Sequence, residues 1–171
     1  TLPVKDVHMV LLRTGDVLMW DAFSLGHRAY LWNSSTGALT FVPAADNIFC
    51  AAPVLMTDGS VMVAGGHSES GGLGIPDVNR FDPITRTWSA LAPMAFPRWY
   101  PNATTLTDGR VLVVSGSTTC VTCIGDIPEL YNPTTNTWTQ LTGAQLYMPL
   151  YPHMFVLPDG RTDHVPYFAE R

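Results

Sequence analysis

Three residues suited to redox or metal chemistry, one cysteine and two tyrosines, recur at one spacing along the sequence. Cys50, Tyr100 and Tyr151 each lie nine positions before the glycine of a predicted turn. Thiolates and phenolates are nucleophiles and metal ligands once they lose their protons. The shared spacing predicts one structural position in three neighbouring repeats. The alternative is plain packing, because a lone cysteine is commonly a small buried hydrophobe and aromatic rings fill cores.

The elements that must position these residues form a repeat of about 50 residues, the period typical of kelch blades. Its common pattern is Leu-Arg-Thr-Gly-Asp-Val at residues 12–17, Met-Thr-Asp-Gly-Ser-Val at 56–61 and Leu-Thr-Asp-Gly-Arg-Val at 106–111. The aligned glycines, at positions 15, 59, 109 and 160, are 44, 50 and 51 residues apart. Asp-Gly predicts a tight turn, and the apolar run that follows predicts a strand buried on both faces.

A second pattern closes each repeat. Phe-Asp-Pro at residues 81–83 and Tyr-Asn-Pro at 131–133 end a predicted third strand, and Trp88 and Trp138 lie in a predicted outer strand. Each indole is expected to fill the gap between neighbouring sheets. Four short strands per repeat predict an all-β fold of about three four-stranded antiparallel kelch-type β-propeller blades.

The predicted ring is incomplete, since a propeller closes with about four to eight blades. The expected domain is a partial kelch propeller over residues 1–161, with three repeats and the start of a fourth. After Arg161 the apolar strand is replaced by Thr-Asp-His-Val-Pro, so residues 162–171 are expected to be a divergent tail without the native strand. Partner chains or further blades are expected to complete the ring.

Composition excludes several function classes. Nine basic residues against fourteen acidic ones give a net charge of -5, and no basic patch stands ready for phosphates, so nucleic-acid binding is not expected. The longest uncharged stretch carries Asn, Gln and Pro residues that a membrane-spanning helix does not tolerate together. The sequence also begins without the charged and then apolar blocks of a signal peptide, which fits a mature or internal segment.

Cys120 and Cys123 form a C-x-x-C pair in a predicted loop. A thioredoxin-type motif would need a strand and a helix around it, and a structural zinc site would need histidines as well. We therefore predict a small local disulfide. Low charge and a single lysine fit an exported protein in an oxidising compartment.

The histidines give weaker signals. In Tyr-Pro-His at residues 151–153, His153 is a candidate ligand that Pro152 separates from Tyr151, with packing at the axis as the alternative. His67 follows a Gly-Gly pair and is expected to be structural. The remaining three have no spacing that suggests a metal site; they are His8, His27 and His164.

Two motifs one repeat apart resemble the galactose oxidase and glyoxal oxidase family of copper radical oxidases. They are Asn-Ile-Phe-Cys at residues 47–50 before Met-Thr-Asp-Gly at 56–59, and Arg-Trp-Tyr-Pro at 98–101 before Leu-Thr-Asp-Gly at 106–109. The resemblance runs from Val4 to about Arg161, and it is closest to the bacterial glyoxal-oxidase-like branch.

The resemblance implies a site. Cys50 and Tyr100 would be joined by a thioether, Tyr100 would bind copper, and Tyr151, Trp99 and His153 would line the axis. The implied reaction is oxidation of primary alcohols, aldehydes or carbohydrates by O2, which becomes H2O2. The family's second tyrosine and its histidine ligands come from later blades and a C-terminal domain, so this chain alone is expected to be inactive and to bind copper poorly. The alternative function is a non-catalytic kelch propeller that binds carbohydrate or protein.

Overall fold

Each sheet of the molecule follows from one repeat of the sequence. The structure is a computed structural model and describes residues 8–69 and 73–165. Three sheets have four antiparallel strands each, and every strand pairs with the next one along the chain. We call them blades 1, 2 and 3. Their strands are β1 (His8–Leu11), β2 (Asp16–Trp20), β3 (Ala29–Asn33), β4 (Leu39–Phe41), β5 (Ala52–Leu55), β6 (Val61–Ala64), β7 (Val78–Asp82), β8 (Thr87–Ala90), β9 (Asn102–Thr105), β10 (Val111–Val114), β11 (Glu129–Asn132) and β12 (Thr137–Gln140).

Blade 4 is a two-stranded sheet of β13 (His153–Val156) and β14 (Thr162–Val165). The antiparallel register runs from His153 opposite Val165 to Val156 opposite Thr162. The prediction that no strand follows Arg161 is therefore wrong for residues 162–165. The turn at residues 157–161 brings them back along β13, and threonine and valine suit a strand despite Asp163 between them. The rest of the predicted tail, residues 166–171, lies outside the described residues.

Helix is confined, in the described part of the chain, to two short 3₁₀ turns at Phe23–Leu25 and Thr142–Ala144. The nearly all-β fold of kelch-type blades is as predicted, and the described sheets do not close into a ring. Within the same part of the chain we find no helix that is long and apolar enough to cross a membrane.

The second strand of each blade explains the continuous apolar runs. In β6, Val61 and Val63 pack into the core shared with blade 1, whereas Met62 and Ala64 pack into the core shared with blade 3. Successive side chains point to opposite faces of a strand, so a strand between two neighbours must be apolar at every position. All four residues of β6 are fully buried.

The outer strands fasten each blade to the one before it. Trp88 Nε1 donates a 2.7 Å hydrogen bond to the Val42 carbonyl of blade 1, and Trp138 Nε1 donates one of 2.7 Å to the Ala92 carbonyl of blade 2. Each indole also packs on the aromatic ring opposite it in the third strand, with centroids 5.0 Å apart in both blades. The predicted role of the two tryptophans as fillers between sheets is confirmed.

Candidate functional site

The site lies where three chain segments enter the innermost strand of their blades. Cys50, Tyr100 and Tyr151 come just before β5, β9 and β13 and have φ values of 59°, 61° and 49°. This left-handed conformation is uncommon for residues other than glycine, and it tends to mark functional positions. A shared backbone geometry at one register therefore turns three different side chains toward one place.

Backbone hydrogen bonds hold the three segments side by side. The Tyr100 N–H donates to the Cys50 carbonyl, and the Tyr151 N–H donates to the Tyr100 carbonyl, each at 2.9 Å. Residues about 50 positions apart in sequence thereby become neighbours. The side chains of all three residues pack in one cluster, whose other members are Ala22, Phe49 and Trp99. We call this the axis cluster.

Cys50 is the free thiol of the axis cluster and is 1% exposed. Its side chain packs against Tyr100, Tyr151 and Trp99. Burial raises the pKa of the Cys50 thiol to about 11, because the thiolate loses its hydration, while the three contacts pull the pKa down. The thiol is thus protonated at neutral pH and lies against two phenols.

The Tyr100 ring packs against two other aromatic rings. The Trp99 indole stacks on it with centroids 4.1 Å apart, and the Tyr151 ring lies 4.7 Å away at an interplanar angle of 59°. Burial, and to a lesser degree the contact with Cys50, raises the pKa of Tyr100 to about 12. Burial raises the pKa of Tyr151 still further. Both phenols are neutral in this arrangement, and a bound cation would be needed to ionise them near pH 7.

His8 is a member of the site that the sequence analysis missed. A 2.8 Å hydrogen bond joins His8 Nε2 to the Tyr151 hydroxyl, across 143 residues of sequence. The imidazole also packs against the indole of Trp20, with centroids 5.3 Å apart. Burial lowers the pKa of His8 from 6.5 to about 4, so the ring is neutral at pH 7. The signal was present: His8 and His153 both lie seven residues before a turn glycine.

A buried ion pair anchors the segment that carries Trp99 and Tyr100. Arg98 and Glu129 have fully buried side chains, and Arg98 Nη2 lies 3.0 Å from Glu129 Oε2. The guanidinium also donates to the carbonyls of Ser115 at 2.6 Å and Ile127 at 2.7 Å, so its charge is fully solvated by the protein. Glu129 Oε1 accepts a 2.6 Å hydrogen bond from the Ala95 N–H.

Glycines make room for this arginine. At Gly65 and Gly74 an added Cβ would lie 2.4 Å from backbone atoms of Arg98, and at Gly116 and Gly125 it would lie 3.1 and 3.0 Å from the arginine side chain. Backbone cannot move aside at such distances, so the first two positions require glycine. The Gly-Gly pair of the repeat thus serves close packing beneath the axis cluster.

Of two further histidines, His153 lies away from the axis cluster and His67 lies at its border. His153 is exposed at the start of β13, and no contact found in the described residues joins it to Cys50 or Tyr100. His67 packs against Phe49 and Trp99 at centroid distances of 5.6 and 5.9 Å, at the border of the cluster. Its buried Nδ1 has no hydrogen-bond partner among the described residues.

The donor atoms of the cluster fit copper by type. Phenol oxygens of Tyr100 and Tyr151 and the neutral imidazole of His8 are ligand types that suit Cu(II). Among residues 8–69 and 73–165 there is no group of three or more His, Cys, Asp or Glu side chains able to hold a metal ion.

Cys120 and Cys123 form a disulfide bond in the loop between β10 and β11. A 2.8 Å hydrogen bond from the Thr118 N–H to the Cys123 carbonyl also joins two parts of this loop. The two cysteines are not members of the axis cluster, and their sulfurs are bonded to each other.

Comparison with known proteins gives matches of two kinds. The Kelch motif family matches residues 49–95. Galactose oxidase of Gibberella zeae is 27% identical over 149 residues, which are 78% of this chain and 20% of that protein. An F-box/kelch-repeat protein of Arabidopsis thaliana is 33% identical over 93 residues, 50% of this chain and 26% of that protein.

One solved structure extends the comparison to three dimensions. A fungal alcohol oxidase of the AA5 family, in complex with copper, superposes with a TM-score of 0.65 and 25% sequence identity. The superposition covers 85% of this chain and 35% of the oxidase chain. This chain thus spans about a fifth of the galactose oxidase length and about a third of the alcohol oxidase.

Proposed function

Since this chain is a galactose oxidase-like stretch of kelch propeller, we propose that it is part of a copper radical oxidase that oxidises primary alcohols or aldehydes with O2 and releases H2O2. The single observation that carries the proposal is the position of the buried Cys50 thiol against the Tyr100 ring. Homology to galactose oxidase and to a copper-bound alcohol oxidase supports membership of this oxidase family.

Four residues of the axis cluster have proposed roles. Tyr100 is a copper ligand and the redox-active ring, Cys50 is its thioether partner, and Trp99 covers the ring face. Tyr151 lines the axis. His153 is assigned to the axis lining only, because its exposed side chain does not support a role as a metal ligand. Bound copper would supply one-electron redox capacity and the positive charge that lowers the pKa of the Tyr100 phenol.

The chain's own residues prepare the ring for that chemistry. The pKa of Tyr100 is raised to about 12, so without a cation it stays a phenol, and the buried surroundings favour a neutral radical over a charged ring. The left-handed backbone at Tyr100 and the Arg98–Glu129 pair fix its orientation. A ring held in place needs little reorganisation when its charge changes.

Two finer aspects are also proposed. The Arg-Trp-Tyr-Pro motif at residues 98–101 favours the glyoxal-oxidase-like branch and hence small aldehyde substrates. The Cys120–Cys123 disulfide supports a secreted or otherwise extracytoplasmic location, where disulfides persist. The remaining blades and a C-terminal domain are expected to supply the other ligands, so the 171-residue chain by itself should be inactive.

The experiment measures peroxide. The full-length gene product, loaded with copper in air, is tested with glyoxal, galactose and simple primary alcohols. We expect H2O2 release that Tyr100→Phe abolishes. Tyr147→Phe is the matched control, because that tyrosine is 72% exposed. Peroxide release at equal rates in wild type and Tyr100→Phe would contradict the proposal.

The second candidate function is a kelch propeller that only binds carbohydrate or protein. The match of residues 49–95 to the Kelch motif family favours it, since this motif covers the repeat without requiring a redox site. In that case Cys50 and Tyr100 merely pack. Retention of the free Cys50 thiol after copper and air, together with absence of peroxide, would support this alternative.

A further inference from the structure

The cysteine sulfur has two tyrosine neighbours, and something must decide which ring it modifies. We propose that His8 and Tyr151 are positioning residues for the thioether: their hydrogen bond fixes Tyr151 by its hydroxyl and holds the Cys50 sulfur on the ring of Tyr100. The inference rests on the proposed function above, because it presupposes that a thioether forms.

The backbone does not distinguish the two tyrosines. Tyr100 and Tyr151 both lie nine residues before a turn glycine and share the left-handed conformation. Both also contact the Cys50 thiol. The choice between them therefore depends on what holds each ring from outside the repeat.

The two rings are held differently. Tyr151 is fixed at its hydroxyl by the 2.8 Å hydrogen bond to His8 Nε2, and the imidazole is itself fixed against the fully buried Trp20. Tyr100 is held by its face, stacked on Trp99 at 4.1 Å. A ring fixed at its hydroxyl has less freedom to turn an ortho carbon toward the sulfur than a ring held only by packing on its face.

His8 and Tyr151 also close the cluster across the molecule. His8 belongs to β1 of blade 1 and Tyr151 precedes β13 of blade 4, with Cys50 and Tyr100 on the two blades between them. In the neutral tautomer with Nε2 unprotonated, the Tyr151 hydroxyl donates to the His8 imidazole and retains lone pairs for the Cys50 S–H. Cys50 is thereby confined between its two phenol neighbours.

The covalent step balances as an oxidation. The Cys50 S–H bond and one ortho C–H bond of Tyr100 break, and a bond forms between sulfur and ring carbon. Two protons and two electrons pass to O2, which becomes H2O2; bound copper supplies the route for the electrons. His8 and Tyr151 are not consumed and act only on geometry.

The test follows thioether formation rather than turnover. Full-length protein is made without copper and then exposed to copper and air. Intact mass records the loss of two hydrogens with time, and peptide mapping identifies the modified tyrosine. The variants are His8→Ala, His8→Gln and Tyr151→Phe, with His27→Ala as the control because His27 is an exposed histidine.

We expect wild type and His27→Ala to form the thioether on Tyr100 alone. His8→Ala should slow thioether formation about fivefold, because one ordinary hydrogen bond controls a population change of that size. It should also place a detectable fraction of the thioether on Tyr151. Tyr151→Phe should slow it to a similar extent, with all product on Tyr100. His8→Gln should recover most of the rate, since the amide oxygen can accept the same hydrogen bond.

Wild-type rates with product on Tyr100 alone in both His8→Ala and Tyr151→Phe would overturn the positioning role. Equal loss of rate in His8→Gln and His8→Ala, matching an equal loss of thermal stability, would also overturn it in favour of a structural role. A wild-type protein that forms no thioether at all would overturn the proposed function itself, which is a different result from a thioether that is indifferent to His8.

Discussion

The outer and inner edges of the blades repeat in different ways. At the outer edge the same residue returns: Trp88 and Trp138 make the same 2.7 Å hydrogen bond to the preceding blade. At the inner edge the same backbone returns with different side chains, Cys50, Tyr100 and Tyr151. Where each blade needs the same contact, the sequence repeats the residue. Where the backbone repeats but the side chains differ, we propose that the different side chains serve chemistry.

The largest expected effect comes from the buried Arg98–Glu129 ion pair, which among the described blades occurs only in blade 3. Arg98→Met leaves Glu129 charged and fully buried without its partner, so it should lower the free energy of unfolding by about 3 to 5 kcal/mol. Urea unfolding followed by tryptophan fluorescence measures the loss. Replacing both partners by apolar residues should cost less than the single change, because no buried charge then remains.

Asn79 is the matched position for this anchor. It takes the place of Glu129 in blade 2, and its side chain donates a 3.0 Å hydrogen bond to Asp46. Asn79→Ala should cost about 1 kcal/mol, because a single hydrogen bond is lost. Suppose instead that Arg98→Met lowers the free energy of unfolding by no more than Asn79→Ala does. The Arg98–Glu129 pair would then be no special anchor of blade 3, and the contrast between the outer and inner edges would fail.

The outer edge should respond equally in two blades. Trp88→Ala and Trp138→Ala each remove a half-buried indole and its hydrogen bond, so each should lower the free energy of unfolding by about 2 to 3 kcal/mol. Chemical denaturation followed by circular dichroism gives both values. A difference of more than about 1.5 kcal/mol between them, beyond the usual spread of such contacts, would break the equivalence of the two interfaces.

Acid should act on the inner edge through His8. Its pKa is 6.5 when free and about 4 when folded, so the unfolded chain binds the proton first. Stability is therefore complete above pH 6.5 and is lost as pH falls from 6.5 to 4, by about 2 kcal/mol after allowance for solvent near a half-buried ring. Urea unfolding of wild type and His8→Gln across this range isolates the contribution, and an identical pH dependence in both would refute it.

The smallest effect should come from the outer turns, where two blades again share a backbone. Arg86 and Asn136 both have positive φ, at 58° and 52°. Arg86→Gly should raise the free energy of unfolding by about 0.5 to 1 kcal/mol, because it relieves the left-handed strain. It loses only a 3.5 Å ion pair between the exposed Arg86 side chain and the buried Asp16, which keeps its hydrogen bond from Asn33.

Asn136→Gly should instead lower the free energy of unfolding. The Asn136 side chain accepts hydrogen bonds from Ala92 N–H and the Tyr131 hydroxyl, both at 2.9 Å, and both would be lost. Asparagine also tolerates the left-handed region, so there is little strain to relieve. Thermal unfolding distinguishes a rise in Arg86→Gly from a fall in Asn136→Gly; changes of the same sign would contradict this account.

The sequence predicted what depends on a local repeat. Turn glycines, apolar runs and the recurring Asp-Pro or Asn-Pro and tryptophan pattern are enough to indicate four strands in each of three blades and to bring Cys50, Tyr100 and Tyr151 to one register. His8 was missed because its partner is 143 residues away. Its own repeat also has Asp6, rather than a cysteine or tyrosine, nine positions before the turn glycine. Arg98 and Glu129 were missed as a pair because charged residues are rarely fully buried. The strand at residues 162–165 was missed because a polar strand at an edge has no apolar signature.

The central claim is that the axis cluster places Cys50 to be joined to Tyr100. The most direct measurement is peptide mapping of the full-length protein after copper and air, with free thiols alkylated under denaturing conditions. The account predicts that Cys50 escapes alkylation and that its peptide is covalently joined to the peptide of Tyr100. Complete alkylation of Cys50, with both peptides at their ordinary masses, would contradict it.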